Sequence, residues 1–189
     1  WVVGAHYDTK DIPGFVGAND GAAGTAAVIE LARDLRGMRR PGGHELRFVL
    51  FDGEESPRGS PPGEFLRDGL RGSKAYAARH RGELAGMVLI DFVADRDLLL
   101  PREAFSNAAL WARLRRAAAR AGVASTFPPS TAQGVYDDHT PFSATGVPAI
   151  DLIDFRYPCF HRTCDDLRHV SAGSLDRAGE AVLELARGL

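Results

Sequence analysis

The 189-residue sequence predicts an α/β fold, a three-layer α/β/α sandwich around a central mixed, mainly parallel sheet. Three observations carry that expectation. Short apolar runs at 1–6, 48–52, 87–91 and 147–153 read as strands and alternate with stretches of helical period. Most of those runs end in polar, chemistry-bearing residues, as strands of open parallel sheets do at their carboxyl ends. No internal repeat or linker divides the chain, so one domain over 1–189 is expected.

Taken in order, WVVGAH (1–6) is a short buried strand ending in His6, Tyr7 and Asp8. A loop over 9–19, rich in Gly, Pro and Asp, leads into Asn19-Asp20-Gly21. A helix is predicted over 22–36, where Val28, Leu31, Ala32 and Leu35 recur at helical spacing and Gly37 stops the pattern. A turn at 41–43 precedes LRFVLFDGEES (46–56). There a buried strand over 48–52 is closed by Gly53 and followed by Glu54 and Glu55. The proline- and glycine-rich run 56–72 reads as a long exposed loop, either a rim of the site or an insertion.

A helix over 73–81 and a strand over 87–91 ending in Asp91 come next, then an edge strand over 97–100. The helix over 107–120 places Ala108, Trp111, Leu114, Ala118 and Ala121 on one face. Arg113, Arg115, Arg116 and Arg120 form its solvated side. Residues 122–146 are mixed and contain Asp137-Asp138-His139. A strand over 147–153, a loop carrying Cys159, His161 and Cys164, and an amphipathic helix over 174–187 complete the chain.

Composition removes several function classes. A net charge of -2 and a pI near 6.3 leave no electrostatic footprint for nucleic acid. Of the basic residues only Lys10 and Lys74 are lysine, which reads as compositional bias toward arginine and not as a binding surface. No apolar run approaches the length of a membrane span. The chain opens on Trp-Val-Val-Gly, inside what reads as a strand, so its amino-terminal elements are expected to be missing. The compartment, secreted, periplasmic or cytoplasmic, stays open, as does the oligomeric state.

The chemistry gathers at the strand exits. Adjacent carboxylates such as Glu54 and Glu55 repel, and a metal beside them removes the repulsion, with one as ligand and the other free for proton transfer. His6 and Asp8, Asp91, and the loop holding His161 supply further metal-capable groups, and Asp20 stands at a helix start. Carboxylate oxygen and imidazole nitrogen are the donors hydrolytic zinc uses.

The segments GAHYDT (4–9), GANDGAAG (17–24), FDGEE (51–55), LID (89–91), DDHTPF with GVPAI (137–150) and FHRTCDD (160–166) resemble, in order and over nearly the whole chain, a zinc-dependent peptidase family. That family includes bacterial leucyl-type aminopeptidases, the protease domain of glutamate carboxypeptidase and animal-type glutaminyl cyclases. The resemblance implies a phosphorylase/hydrolase-like sandwich, with Asp20 bridging two zinc ions, His6 and Asp91 completing one site, and Glu55 and His161 the other. It implies that the Asp8 carboxylate orients the His6 imidazole and that Glu54 is the general base. His139 would hydrogen-bond substrate or a developing oxyanion, the alternative being a structural histidine. Tyr136, Phe155, Tyr157 and Phe160 are candidates for a side-chain pocket.

Arg162 stands where the family usually has threonine after the last histidine, a departure that could alter the pocket while leaving His161 in place. Cys159 and Cys164 bracket His161 and could equally form a disulfide or remain two thiols. The function implied is a zinc aminopeptidase acting on a peptide or aminoacyl substrate with a free amino terminus, holding two zinc ions. The alternative is a glutaminyl-peptide cyclotransferase holding one, toward which the long run after Glu55 leans. A catalytically silent binding domain is the third reading.

Overall fold

The computed structural model describes residues 1–38 and 43–189. The turn expected at 41–43 falls on residues 41 and 42, outside that range. In chain order the elements are β1 (Val2–His6), α1 (Gly24–Asp34), β2 (Arg47–Phe51), α2 (Phe65–Asp68), α3 (Arg71–Arg79) and β3 (Met87–Ile90). Then follow β4 (Arg102–Glu103), α4 (Ala108–Arg120), β5 (Thr131–Ala132), α5 (His139–Ala144), β6 (Ala149–Leu152) and α6 (Ala172–Arg187).

The main sheet has the order β2-β1-β3-β6, and all three pairings are parallel. Val3 lies opposite Phe48 on one side and Val88 on the other. Among the described residues the antiparallel component is one isolated bridge, Asp95 to Val170. Parallel strands return through crossovers that cover both faces, which is why β1, β3 and β6 are buried throughout and, apart from His6 and Asp151, apolar. Val3, Ala5, Val88, Ile90, Ile150 and Leu152 meet α1, α4 and α6 on one face. Val2, Met87, Leu89 and Ala149 meet Ala77 of α3 and Phe142 of α5 on the other. The three-layer sandwich is therefore observed.

Several local expectations shift. The strand at 48–52 runs one residue earlier, and only Phe51 of it is fully buried because β2 is an edge strand of this sheet. No edge strand forms at 97–100. Leu98 and Leu100 are drawn into the core, and the intervening amides go elsewhere: Leu99 to the Asp154 carboxylate (2.9 Å) and Leu100 to the Thr126 carbonyl (2.7 Å). The short strand in this region is β4, paired in parallel with β5. Within 56–72 lies the single turn α2, and α3 begins at Arg71, two residues before its expected start.

On α4 the buried face is Leu110, Trp111, Leu114, Ala117 and Ala118, and Ala108 is exposed. Arg113 is not on the solvated side, since its guanidinium stacks over Trp1 at 5.4 Å. Among the described residues no helix is long and apolar enough to cross a membrane.

The seating of α1 on the sheet depends on Gly24. A Cβ there would lie 2.1 Å from the Ile90 carbonyl oxygen and 3.0 Å from Ala5 Cβ. Gly179 in α6 has nothing within 4 Å of the corresponding point. Gly24→Ala is therefore expected to destabilise by about 1–3 kcal/mol through overpacking. Gly179→Ala should stabilise by roughly 0.5–1 kcal/mol through backbone entropy. Urea unfolding of both variants checks the opposite signs.

Candidate metal centre

The carboxyl ends of β1, β2 and β3 deliver His6, the Glu54-Glu55 pair and Asp91 to one edge of the sheet. Asp20 arrives from a wide helical turn over Ala18–Ala23, broken at Asp20 and Gly21. Gly21 has φ +90°, and a Cβ there would stand 2.9 Å from the Asp8 carbonyl oxygen and 3.2 Å from His6 Cε1, so glycine is required beside Asp20. The Asp165 carboxylate accepts the amides of Asn19 (2.8 Å) and Asp20 (3.0 Å) and the Tyr157 hydroxyl (2.9 Å), which sets the direction of the Asp20 side chain.

Two donor sets result, and they share Asp20. His6 Nε2 lies 3.3 Å from Asp20 Oδ1 and 3.4 Å from Asp91 Oδ1. His161 Nε2 lies 3.5 Å from Asp20 Oδ2 and 3.2 Å from Glu55 Oε1. Donors placed ~2.1 Å from a tetrahedral zinc lie roughly 3.4 Å from one another, and the four imidazole–carboxylate distances match that spacing. Asp20 Oδ2 and Glu55 Oε1 are moreover buried without a hydrogen-bond partner, as atoms facing a cation would be. Chemistry and spacing of the donors thus fit zinc.

The glutamate pair is separated by its surroundings. The Asp8 carboxylate accepts the amides of Glu54 and Glu55, both at 3.1 Å, while Leu70, Arg71 and Gly72 donate their amides to the carbonyls of Glu54, Gly53 and Asp52. Glu55 sends Oε1 toward His161 and receives Lys10 Nζ on Oε2 at 2.6 Å. Burial alone would raise its pKa, but His161 and Lys10 outweigh burial and hold it below the ordinary value. Glu54 has neither partner. Burial, then the negative field of Asp137, raises its carboxyl well above the usual range, with His6 opposing.

The same crowding raises Asp91 to about 6, again mainly by burial and against the pull of His6. Burial by itself would lower the His6 imidazole, yet its contacts with Asp20, Asp8 and Asp91 outweigh that and raise it.

Beside these groups is a cavity of about 390 Å³. Lys10, Asp20, Glu54, Glu55, Asp91 and His161 form its polar wall, and Phe65, Phe92, Tyr136, Ile153, Phe155 and Phe160 its apolar one. Metal donors, an unpaired carboxyl and an apolar pocket therefore share one cleft, the arrangement that water-mediated or proton-transfer chemistry on an organic substrate needs.

Two sequence expectations are corrected here. Asp8 is not one of them: His6 Nδ1 meets its main-chain carbonyl at 3.0 Å and its carboxylate at 3.6 Å, while the same carboxylate also holds the glutamate amides. His139 does not reach the cleft. It begins α5, is wholly buried, and turns Nε2 toward Glu103 (3.3 Å) and Nδ1 toward Asp151 (3.7 Å). Tyr157 is buried on Asp165 and does not line the pocket.

The DDH segment instead aims Asp137 into the cleft, a residue the sequence reading passed over. Burial, then the charges of Asp91 and Asp138, raises its pKa well above the ordinary value. Asp165 was likewise missed as a separate function. Both sit inside quoted motifs, DDHTPF and FHRTCDD, so the signal was present but gave no direction for the side chains. Cys159 and Cys164 form a disulfide, which settles the alternative left open by their spacing. The Arg162 side chain is exposed and donates to the Pro158 carbonyl (3.3 Å).

The chain is similar to several known proteins. Aminopeptidase YwaD of Bacillus subtilis is 29% identical over 95% of this chain and 39% of its own length. The glutaminyl-peptide cyclotransferase of Drosophila melanogaster is 29% identical over 87% of this chain and 54% of its own. The chain thus spans about two fifths to a little over half of these curated relatives. Among solved structures, a glutaminyl cyclase from an Acidobacteriales bacterium is 34% identical with a TM-score of 0.85, covering 98% of this chain and 67% of that one. A leucine aminopeptidase precursor from Bacteroides thetaiotaomicron, at 22% identity and a TM-score of 0.88 over 100% of this chain and 71% of its own, shares the fold. The model of peptidase family M28 matches residues 1–186, and the chain belongs to that family.

Proposed function

We propose that this chain is the catalytic part of a two-zinc aminopeptidase that hydrolyses the bond following a free amino-terminal residue. The observation that carries it is the pair of complete donor sets, His6-Asp20-Asp91 and Asp20-Glu55-His161, sharing one carboxylate. Zinc bound there would lower the pKa of a water toward about 7 and polarise the scissile carbonyl. Glu54, beside both sets and not needed in either, accepts the proton of the attacking water and returns it to the leaving amine. Asp137 supports this by raising the proton affinity of Glu54. The acidic wall suits a substrate ammonium, and the aromatic wall accepts an apolar side chain while excluding water.

A second reading, glutaminyl-peptide cyclotransferase with one zinc, is favoured by a specific observation. The segment after Glu55 is long, places Phe65 at the cleft, and is braced by Lys74 Nζ on the carbonyls of Leu66 (2.6 Å) and Gly69 (2.8 Å). The 34% identity to the Acidobacteriales cyclase over 98% of the chain points the same way. In that chemistry Glu54 would move a proton from the substrate α-amine to the departing ammonia.

The two readings separate by product and by metal. An aminoacyl-anilide and a peptide beginning with glutamine are incubated with the protein and followed by mass spectrometry. Release of the first residue supports the peptidase, whereas loss of ammonia with the chain intact supports the cyclase. Zinc per chain near two or near one should agree with that result. A chelator is expected to abolish activity and added zinc to restore it; activity that survives chelation sinks both readings.

Glu54→Gln should lower kcat by about 10²–10⁴-fold with metal content unchanged. A variant that keeps full turnover would show that another group moves the proton. In zinc titrations Asp20→Asn should weaken both binding events together, while Asp91→Asn and Glu55→Gln each weaken one. Independent behaviour of the two events in Asp20→Asn would rule out the shared carboxylate.

A further inference from the structure

His161 differs from His6 in what holds it. His6 is buried, and its Nδ1 meets the Asp8 carbonyl oxygen at 3.0 Å. Histidines that ligate metals normally have such an acceptor on the second ring nitrogen, which fixes the ring and its tautomer. The His161 side chain is 29% exposed, and among the described residues no acceptor stands at its Nδ1. Its backbone is also in the left-handed region, φ 51°, which is uncommon for residues other than glycine. Something other than burial or a hydrogen bond therefore has to fix the imidazole.

The candidates are next to it in the chain. The Cys159–Cys164 disulfide closes the short loop that contains His161. Within that loop the Arg162 amide donates to the Cys159 carbonyl (3.0 Å), and the Phe160 ring stacks on the imidazole at 3.8 Å. Cys159 is buried against Phe92, Ile153 and Tyr157, so one end of the bridge is anchored in packed side chains. The other end, Cys164, adjoins Asp165, whose carboxylate holds the amide of Asp20. The Asp165 carboxylate is itself held by the amides of Asn19 and Asp20 and by the Tyr157 hydroxyl, so the aim of the shared carboxylate does not depend on the bridge, whereas the His161 imidazole lies inside the loop the bridge closes.

We propose that Cys159 and Cys164 act as positioning residues for His161, so that zinc affinity at the Asp20-Glu55-His161 donor set depends on the oxidised bridge. The inference rests on that donor set holding a metal. Reduction by a phosphine would turn the bridge into two thiols, with two protons supplied by water and the water oxygen leaving as the phosphine oxide. The loop would then lose its covalent closure while the His6 set, which the bridge does not touch, would keep its geometry.

The test is calorimetric titration of zinc into metal-stripped protein, with no activity readout needed. Four samples are compared: the oxidised wild type, Cys159→Ser/Cys164→Ser, His161→Ala, and folded wild type reduced by a phosphine and capped with iodoacetamide. Capping keeps the freed sulfurs from binding zinc themselves, and circular dichroism reports which samples remain folded. The double serine variant or the capped protein, whichever is folded, should lose about 10–100-fold in affinity at the event that His161→Ala removes, with the other event unchanged.

A folded bridge-free sample that titrates like the oxidised wild type, while His161→Ala loses an event, overturns the proposal. Equal weakening of both events overturns it too, since that reports a general loss of structure. If His161→Ala changes nothing, it is the metal reading of the donor set that fails.

Discussion

The constraint on which the rest of the structure depends is the crowding of carboxylates at one edge of the sheet. Asp20, Glu54, Glu55, Asp91 and Asp137 are all buried there, with two imidazoles and Lys10 as the facing cationic or proton-bearing groups. Buried carboxylates without compensation lose several kcal/mol each in desolvation, by order of magnitude. Such a cluster persists in a fold only if protons or cations are shared among its members. The raised proton affinities of Glu54, Asp91 and Asp137, and the opposite shift at Glu55 beside Lys10 and His161, are two outcomes of one electrostatic problem. Divalent cations at the two donor sets would solve it most completely.

The scaffold answers this with backbone fixed at close intervals. Asp8 holds the amides of Glu54 and Glu55, Asp165 holds those of Asn19 and Asp20, and Asn19 Oδ1 in turn accepts the amide of Ala94. Asp91 accepts the amide of Phe92, which has φ 43°. Among the described residues the non-glycine residues with positive φ, Leu70, Phe92 and His161, all lie on segments that carry or brace the cleft. Strain of that kind, of order 1–3 kcal/mol per residue, survives where surrounding contacts over-determine the backbone. The parallel sheet, buried on both faces, supplies the rigidity.

Much of this was legible in the sequence. Strands and helices alternated visibly, because a doubly covered parallel strand has to be a continuous apolar run and its covering helix amphipathic. The donors were legible for the same reason: His6, Glu54, Glu55 and Asp91 immediately follow or end such runs, so strand direction alone sends them to a common edge. Residues off the strand exits were harder. The edge strand at 97–100 was misplaced because Leu98 and Leu100 alternate as a strand does, while the amides of Leu99 and Leu100 find the Asp154 carboxylate and the Thr126 carbonyl instead of a neighbouring strand.

By itself, then, the sequence determined the layered architecture, the strand exits and the chemical character of the donors, since these follow from periodicity and from residue type. Tertiary structure alone decided direction. Whether the Asp8 carboxylate serves an imidazole alone or two amides as well, whether Asp137 or His139 faces the cleft, and whether two cysteines close a bond all depend on what stands within about 3–4 Å after folding. Spacing along a chain carries no such information for loops. Their side-chain vectors come from neighbours far away in sequence, such as Glu103 beside His139 and Asp165 beside Asp20.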